Sequence, residues 1–171
     1  MILILLKLSD LVGSTENRCA QILNLKTRNN VYILDTDHLS LLEWNNAESL
    51  ILQIRLEKVQ HELLNTTIVN YEEQMRGWME RVARANDRQN LLSSYSRLEL
   101  HIKTFAGIPL LSFSTKAADI FESLQKAKIR IGAMDLKIAA IALANDATVL
   151  TRNVAHFGKV PNLKVEDWSG F

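Results

Sequence analysis

Short apolar runs that alternate with longer amphipathic stretches predict an α/β protein. Strands are predicted at residues 31–35, 63–69, 108–113, 147–151 and 163–166. Helices are predicted at residues 39–42, 47–60, 71–85, 87–105, 115–128 and 135–145. Strands that alternate with helices form a parallel sheet covered on both faces. The two consecutive helices in the middle of the chain predict a helical hairpin that is inserted on this α/β core.

The first thirty residues differ from the rest of the chain. Residues 1–8 are apolar but too short to span a bilayer, which takes roughly 20 apolar residues. They also lack the basic region and the cleavage site of a signal peptide. Residues 9–30 are polar and follow neither a helical nor a strand period. We therefore expect an N-terminal extension at 1–30, either disordered or preceded by a start codon assigned too far upstream, and one folded domain at 31–171.

Composition sets the size of the core and the cellular compartment. The chain has 171 residues, of which 47% are hydrophobic and 23% charged, and this suits one domain with a substantial core. Its single cysteine, Cys19, cannot form an intramolecular disulfide, and no Cys/His spacing predicts zinc. These features favour the cytoplasm. The formal net charge of +1 means that any RNA binding must come from a local patch.

Acidic residues at the ends of predicted elements carry the candidate chemistry. Asp35 ends an apolar strand and is followed by Thr36 and Asp37, while Asp135 opens a helix of small residues. Ligands of open α/β sheets bind at the carboxyl ends of the strands, so we expect these acids to converge there. Oxygen ligands without Cys or His partners suit Mg²⁺ or Mn²⁺. The pattern therefore predicts a metal-dependent phosphodiester enzyme.

Each of these acids also has a purely structural interpretation. Asp37 could cap the short helix that follows it, and Asp135 could serve only as a partner of the helix dipole. Glu72 and Glu73 are both predicted in the first turn of a long helix, and spacing alone does not choose between them. Gly77, four residues after Glu73, is costly inside a helix unless close packing requires it.

Several neutral and basic positions leave similar alternatives. Asn153 follows Thr151 at a strand end, and it is either a turn residue or a neutral ligand through its carbonyl oxygen. Arg152 and Arg76 are candidate phosphate contacts. An uneven basic stripe, either a solvated face or a rim that faces phosphate or a partner, is formed by Arg76, Arg81, Arg84 and Arg88.

Four stretches occur in a specific order and spacing, although each alone would be weak evidence. They are YILDTDHLSLL (32–42), TIVNYEEQMRGW (67–78), IGAMDLKIAAIAL (131–143) and VLTRNVAHFGKVPNLKVEDW (149–168). Together they resemble the PIN-domain endoribonucleases, specifically the VapC-type toxins of bacterial toxin–antitoxin modules. The resemblance implies a three-layer α/β/α PIN-like fold, with a central parallel sheet and an acidic pocket at the carboxyl edge of that sheet.

The resemblance also assigns roles to individual residues. The catalytic positions of the family fall on Asp35, Glu73, Asp135 and Asn153, with Asp35 and Asp135 as metal ligands. The neighbouring positions that support the metal fall on Thr36, Asp37 and Thr151. Asn153 stands where many relatives have Asp, which implies weaker binding of a second metal. Asp37 stands where Asn is commoner, and it adds back an acid.

The function implied by the resemblance is Mg²⁺- or Mn²⁺-dependent hydrolysis of RNA. The implied partners are a cognate antitoxin and a second copy of the chain, with no membrane association. Residues 34–37 also resemble the Asp-x-Asp strand end of haloacid-dehalogenase-type phosphohydrolases, in which the first Asp is a nucleophile, but Asp135 lacks the second acid of that family. A catalytically inactive PIN-like module that only binds partners is a further alternative, because Asn153 replaces an acid.

Overall fold

A five-stranded parallel sheet forms the centre of the molecule, as a computed structural model shows for residues 30–42, 46–60 and 63–170. The strands are β1 (Tyr32–Leu34), β2 (Leu64–Thr67), β3 (Leu110–Leu111), β4 (Thr148–Leu150) and β5 (Lys164–Glu166). Their order in the sheet is β3-β2-β1-β4-β5, and every neighbouring pair is parallel. The predicted N-terminal extension lies outside the described residues, apart from Asn30.

Helices connect the strands in the predicted alternation. They are α1 (Thr36–Leu41), α2 (Ala47–Leu56), α3 (Ile68–Ala83), α4 (Arg88–Ala106), α5 (Thr115–Lys126), α6 (Ala133–Ala144) and α7 (Val154–Phe157). Helices α3 and α4 pack against each other after a short turn, which confirms the predicted hairpin. Throughout the described part of the chain, no helix is both long enough and apolar enough to cross a membrane.

Both faces of the sheet are buried, because successive side chains of a strand point to opposite sides. Ile33 of β1 and Val149 of β4 pack in one apolar cluster with residues of α5 and α6. Their neighbours Leu34 and Leu150 pack in a second cluster on the other face, together with Phe105 of α4. The predicted three-layer α/β/α fold is therefore confirmed.

Helix α6 is tightly packed, and this fixes the position of its first turn. Its small side chains Ala139, Ala140 and Ala142 are completely buried, and the helix makes its most extensive helix contact with α5. Small residues allow such close approach, because little side-chain volume separates the backbones. Asp135, in the first turn of α6, is consequently carried by one of the most tightly packed elements of the fold.

The junction between β2 and α3 differs from the prediction. The strand ends at Thr67 rather than Val69, and the helix begins at Ile68, three residues earlier than expected. The cause is a capping box: the Thr67 hydroxyl accepts from the Asn70 N–H at 3.1 Å, and the Asn70 side chain accepts from the Thr67 N–H at 3.2 Å. The prediction that Glu72 and Glu73 lie in the first turn is therefore wrong.

Candidate active site

Strand-end residues meet at the carboxyl edge of the sheet. Asp35 directly follows β1 and is 7% exposed, and Thr151 directly follows β4 and is fully buried. The Thr151 hydroxyl lies 3.0 Å from Asp35 Oδ2 and 3.2 Å from Asp37 Oδ2. Because a hydroxyl has one proton to donate, Thr151 serves one carboxylate at a time. The structure thus brings together Asp35, Asp37 and Thr151, which the sequence singled out separately.

Asn70 is a central residue of this site that the sequence analysis missed. It is fully buried, and its amide nitrogen donates to Asp35 Oδ1 at 2.8 Å and to the Thr36 hydroxyl at 3.1 Å. Its amide oxygen is occupied by the capping box with Thr67. A polar residue three positions after a strand-end Thr was the available signal, because that spacing is typical of a capping box.

Glu73, rather than Glu72, faces the site. The Thr36 hydroxyl donates to Glu73 Oε2 at 2.9 Å, and Glu73 is half-buried. Glu72 is exposed and forms an ion pair with Arg76, one helical turn further on. This geometry agrees with the assignment that the resemblance made and that spacing alone left open.

The pKa values of two carboxyls record the crowding of acids. Burial, together with the charge of the neighbouring Asp37, raises the pKa of Asp35 to about 6, although hydrogen bonds from the Thr36 backbone, Thr151 and Asn70 act in the opposite direction. Burial also raises the pKa of Glu73, and Asp135 adds to this effect by charge repulsion. Raised values of this kind show that the charged forms lack sufficient compensation, which a bound cation would supply.

Asp37 is held in its charged form by a buried histidine. Burial acts to raise the pKa of Asp37, but the hydrogen bonds that its carboxylate accepts from His38 and from the Arg152 N–H outweigh this effect, so the pKa is lowered. His38 is fully buried and its Nε2 accepts from the Trp168 N–H at 3.3 Å, which leaves the proton on Nδ1, 3.0 Å from Asp37 Oδ1. No local pattern in the sequence indicates this role of His38.

The structure decides against the simple capping interpretation of Asp37. The N-cap position of α1 is Asp35, which makes no side-chain cap hydrogen bond. The Asp37 carboxylate instead reaches across the sheet edge and accepts from the Arg152 N–H at 2.9 Å. Asp37 therefore joins the loop after β1 to the loop after β4.

Asp135 and Asn153 border the site without a direct bond to Asp35. Asp135 Oδ2 lies 3.5 Å from His156 Nδ1, and a Cβ on Gly132 would lie 3.2 Å from that same oxygen. The Asn153 side chain is exposed and makes no cap hydrogen bond to α7, although its backbone N–H donates to the Thr151 hydroxyl at 3.1 Å. Its side chain is accordingly free to face a ligand.

The donor chemistry of the site suits a hard cation. The charge of Asp135 acts on Glu73, and the Thr36 hydroxyl and the Asn70 amide connect Glu73 to Asp35. Carboxylate oxygens are the ligands that Mg²⁺ and Mn²⁺ prefer. Within the described ranges, no three Asp, Glu, His or Cys side chains are already grouped closely enough to hold a metal ion. The fit therefore rests on the donor types and on the uncompensated charge of the acids.

The two arginines proposed as phosphate contacts each pair with an exposed glutamate. Arg76 pairs with Glu72, and Arg152 Nη1 lies 3.3 Å from Glu48 Oε2. Exposed ion pairs of this type contribute little, so both guanidinium groups can exchange their partner for a phosphate. The predicted basic stripe is divided between two helices, because Arg88 begins α4 rather than continuing α3.

Comparison with known proteins gives one curated relative. No family model matches the chain. A segment of 65 residues, 36% of this chain, is 34% identical to ribonuclease VapC2 of Rickettsia felis. The match spans about half of that relative, 48% of its length.

Solved structures match over most of the chain. A chain of the VapBC2 complex of Rickettsia felis, bound to a promoter DNA fragment, aligns with a TM-score of 0.59 and 22% identity, covering 81% of this chain and 98% of that one. A chain of VapBC-1 from Haemophilus influenzae aligns with a TM-score of 0.62 and 24% identity, covering 82% of this chain and 99% of that one. A chain of FitAcB from Neisseria gonorrhoeae aligns with a TM-score of 0.62 and 24% identity, covering 82% of this chain and 100% of that one.

These likenesses define the class of fold. The parallel sheet between two helical layers is the PIN-like fold of the VapC-type proteins. The resemblance to VapC-type proteins found in the sequence is confirmed over 65 residues by the curated relative, and the solved structures confirm the fold.

Proposed function

We propose that this chain is a Mg²⁺- or Mn²⁺-dependent endoribonuclease and the toxin of a toxin–antitoxin pair. The observation that carries the proposal is the pair of strand-end and helix acids, Asp35 and Glu73, whose pKa values are raised at the carboxyl edge of the sheet. Buried carboxyls of this kind concentrate at functional sites. The likeness to ribonuclease VapC2 supports RNA as the substrate.

The acids that would hold the cation are Asp35, Glu73 and Asp135, with Asn153 as a neutral contributor. When bound, Mg²⁺ or Mn²⁺ polarises a phosphate and lowers the pKa of a water molecule, so no side-chain nucleophile is required. The charge of the acids is then compensated in a site that would otherwise repel an RNA backbone.

The neutral residues around the acids orient them. Asn70 and Thr151 each donate to a different oxygen of Asp35, and this fixes the plane of its carboxylate. Thr36 fixes Glu73 in the same way. Orientation of this precision matters, because misplacement of a reacting group by about 1 Å can cost roughly 100-fold in rate.

A phosphohydrolase that uses Asp35 as a nucleophile is disfavoured because that family needs a second acid close to Asp135, whose neighbours Met134 and Leu136 are apolar. The Asn70 amide and the Thr151 hydroxyl each donate to a different oxygen of Asp35, and each oxygen keeps a second lone pair. These lone pairs can bind a cation.

The partners follow from the complexes in which similar chains occur. VapBC and FitAB are complexes, and one is described as a toxin–antitoxin system. We infer that this chain binds a cognate antitoxin protein and forms a homodimer. Co-expression with any short reading frame found next to its gene, followed by co-purification, tests the first of these partners.

The activity is tested with purified chain and a pool of structured and single-stranded RNAs. Incubation with Mg²⁺ or Mn²⁺ is expected to give new RNA ends at defined positions, and incubation with excess chelator is expected to give none. RNA binding without new ends would favour the inactive partner-binding module. A trapped aspartyl-phosphate would favour the phosphohydrolase.

A further inference from the structure

One face of α3 connects the acidic site to the far end of the helical hairpin. Residues three or four positions apart share a helix face, so Asn70, Glu73, Gly77, Arg81 and Arg84 lie on a common side. Asn70 and Glu73 contact the site residues. At 1.5 Å per residue, Arg81 and Arg84 lie roughly 12 and 16 Å beyond Glu73 along the helix axis.

Gly77 leaves this face open halfway along it. A Cβ added at Gly77 would meet no atom within 4 Å, and the residue is exposed. Close packing therefore does not account for this glycine. Glycine inside a helix lowers stability, and no neighbouring atom needs the space that it leaves. The gap in the side chains of this face at Gly77, the Gly77 lane, is therefore open to a ligand.

The lane leads to an arginine-rich cleft between α3 and α4. The cleft has a volume of about 280 Å³, and its lining contains three arginines, hydroxyl and amide groups, and no carboxylate. The residues that line the cleft include Trp78, Arg81, Arg84, Asn90, Ser93 and Arg97. A chain with a formal net charge of +1 thus has a local concentration of positive charge.

The arginines of the cleft are available to bind an anion. The Arg81 guanidinium lies 4.7 Å from the centre of the Trp78 ring, which is itself 8% exposed. Stacking on an aromatic face holds a guanidinium in place while its N–H groups remain free to donate. Arg84 pairs with Glu80 at 3.2 Å, but both side chains are more than half exposed, so this pair is weak.

We propose that the Gly77 lane and the arginine-rich cleft form a second RNA subsite, which binds the single-stranded backbone flanking the scissile bond. This proposal rests on the proposed ribonuclease function. The proposed cation compensates the acids and serves the phosphate at the scissile bond, so phosphates further along the strand need cations elsewhere on its path. The strand leaves the acidic site, crosses Gly77 where no side chain obstructs it, and places its phosphates on Arg81, Arg84 and Arg97.

The charge of the cleft is tested by replacing Arg81 and Arg84 together with Gln. The control replaces Lys103 and Lys126 with Gln, because each is an exposed cation paired with a glutamate one turn away, as Arg84 is. Binding of a labelled single-stranded RNA is measured over a range of salt concentrations. Each lost phosphate contact should lower the slope of log K against log salt by about 0.7, hence about 1.4 for the double variant.

The control variant is expected to keep the wild-type slope, and a wild-type slope in the arginine variant would overturn the proposal. The wild type should bind long RNA more tightly than short RNA, and this difference should shrink in the arginine variant, because a short strand does not reach the cleft. If the arginine variant instead loses a protein partner and keeps its RNA slope, the cleft is a protein-binding site and the proposal fails.

The lane is tested by two substitutions of equal size, Gly77→Gln and Gly77→Glu. Both should fold with a thermal midpoint at or above that of the wild type, because Gln and Glu are better helix formers than Gly. Gly77→Glu should bind RNA more weakly than Gly77→Gln, since only Glu places a negative charge beside the phosphates. Equal affinities of the two variants for RNA would contradict the proposal that the strand crosses α3 at Gly77. Wild-type chain that neither binds nor cleaves RNA would instead refute the proposed function.

Discussion

The hydroxyl of Thr151 lies 3.0 Å from Oδ2 of Asp35, although 116 positions separate the two residues in the sequence. The contact exists because β1 and β4 are neighbours in the parallel sheet and end at the same edge. Asn70, from the start of α3, completes the arrangement on the other oxygen of Asp35. Three distant parts of the chain thus fix one buried carboxylate.

The raised pKa of Asp35 predicts that folding stability depends on pH. Its value is about 6 in the folded chain against 3.8 for the free group, so the folded state binds the proton more tightly. The contribution of Asp35 to stability is therefore present below pH 3.8 and is lost as pH rises towards and through 6, by about 3 kcal/mol in all.

Asp35→Asn removes this titration while it keeps the size of the side chain. Urea unfolding of both proteins without divalent cation should show the variant gaining about 2 kcal/mol relative to wild type between pH 4 and pH 7, because part of the total is already lost at pH 4. A constant difference across this range would show that Asp35 titrates normally.

Glu73 and Glu72 should differ sharply in importance. Glu73→Gln should lose most RNA cleavage, because Glu73 faces Thr36 and the acidic site. Glu72→Gln should keep activity and lose about 0.3–0.5 kcal/mol of stability, since its exposed pair with Arg76 is a single i,i+4 contact. Initial cleavage rates and urea midpoints measure the two effects. If Glu72→Gln lost more activity than Glu73→Gln, the assignment of Glu73 to the site would be wrong.

Gly132→Ala should disturb Asp135 more than it disturbs the fold. The new Cβ would lie 3.2 Å from Asp135 Oδ2, so the carboxylate must move by a few tenths of an ångström. We expect a rate loss between a few-fold and about 100-fold, because small misplacements of reacting groups are costly. Gly170→Ala is the matched control, since its Cβ would meet no atom within 4 Å. Equal rates for both variants would indicate that the position of Asp135 is unimportant.

The sequence predicts those parts of the fold and site that local patterns encode. The apolar run that ends at Asp35 and the helix that opens near Asp135 place the acids at element ends. The β-branched residues Thr66, Thr67, Ile68 and Val69 favour extended structure, yet the capping box between Thr67 and Asn70 starts the helix at Ile68. A few local hydrogen bonds override the propensity of two residues at this boundary.

Asn70 and His38 could not be found in this way because their partners are distant in the sequence. Asn70 binds Asp35, which is 35 positions away, and His38 accepts from Trp168, which is 130 positions away. Only the packed sheet brings these groups together. The local signs are a polar residue inside an amphipathic pattern and, for Asn70, its capping-box spacing from Thr67.

The central claim is that Asp35 and Asp135 hold the cation that RNA cleavage requires, and Mn²⁺ titration tests it most directly. Wild-type chain and the Asp35→Ala and Asp135→Ala variants are compared by calorimetry, together with cleavage of the same RNA at saturating Mn²⁺. We expect the wild type to bind Mn²⁺ and to cleave, and each variant to remain folded by circular dichroism while it loses both properties. Full cleavage by either folded variant, or cleavage by the wild type in excess chelator, would contradict the account.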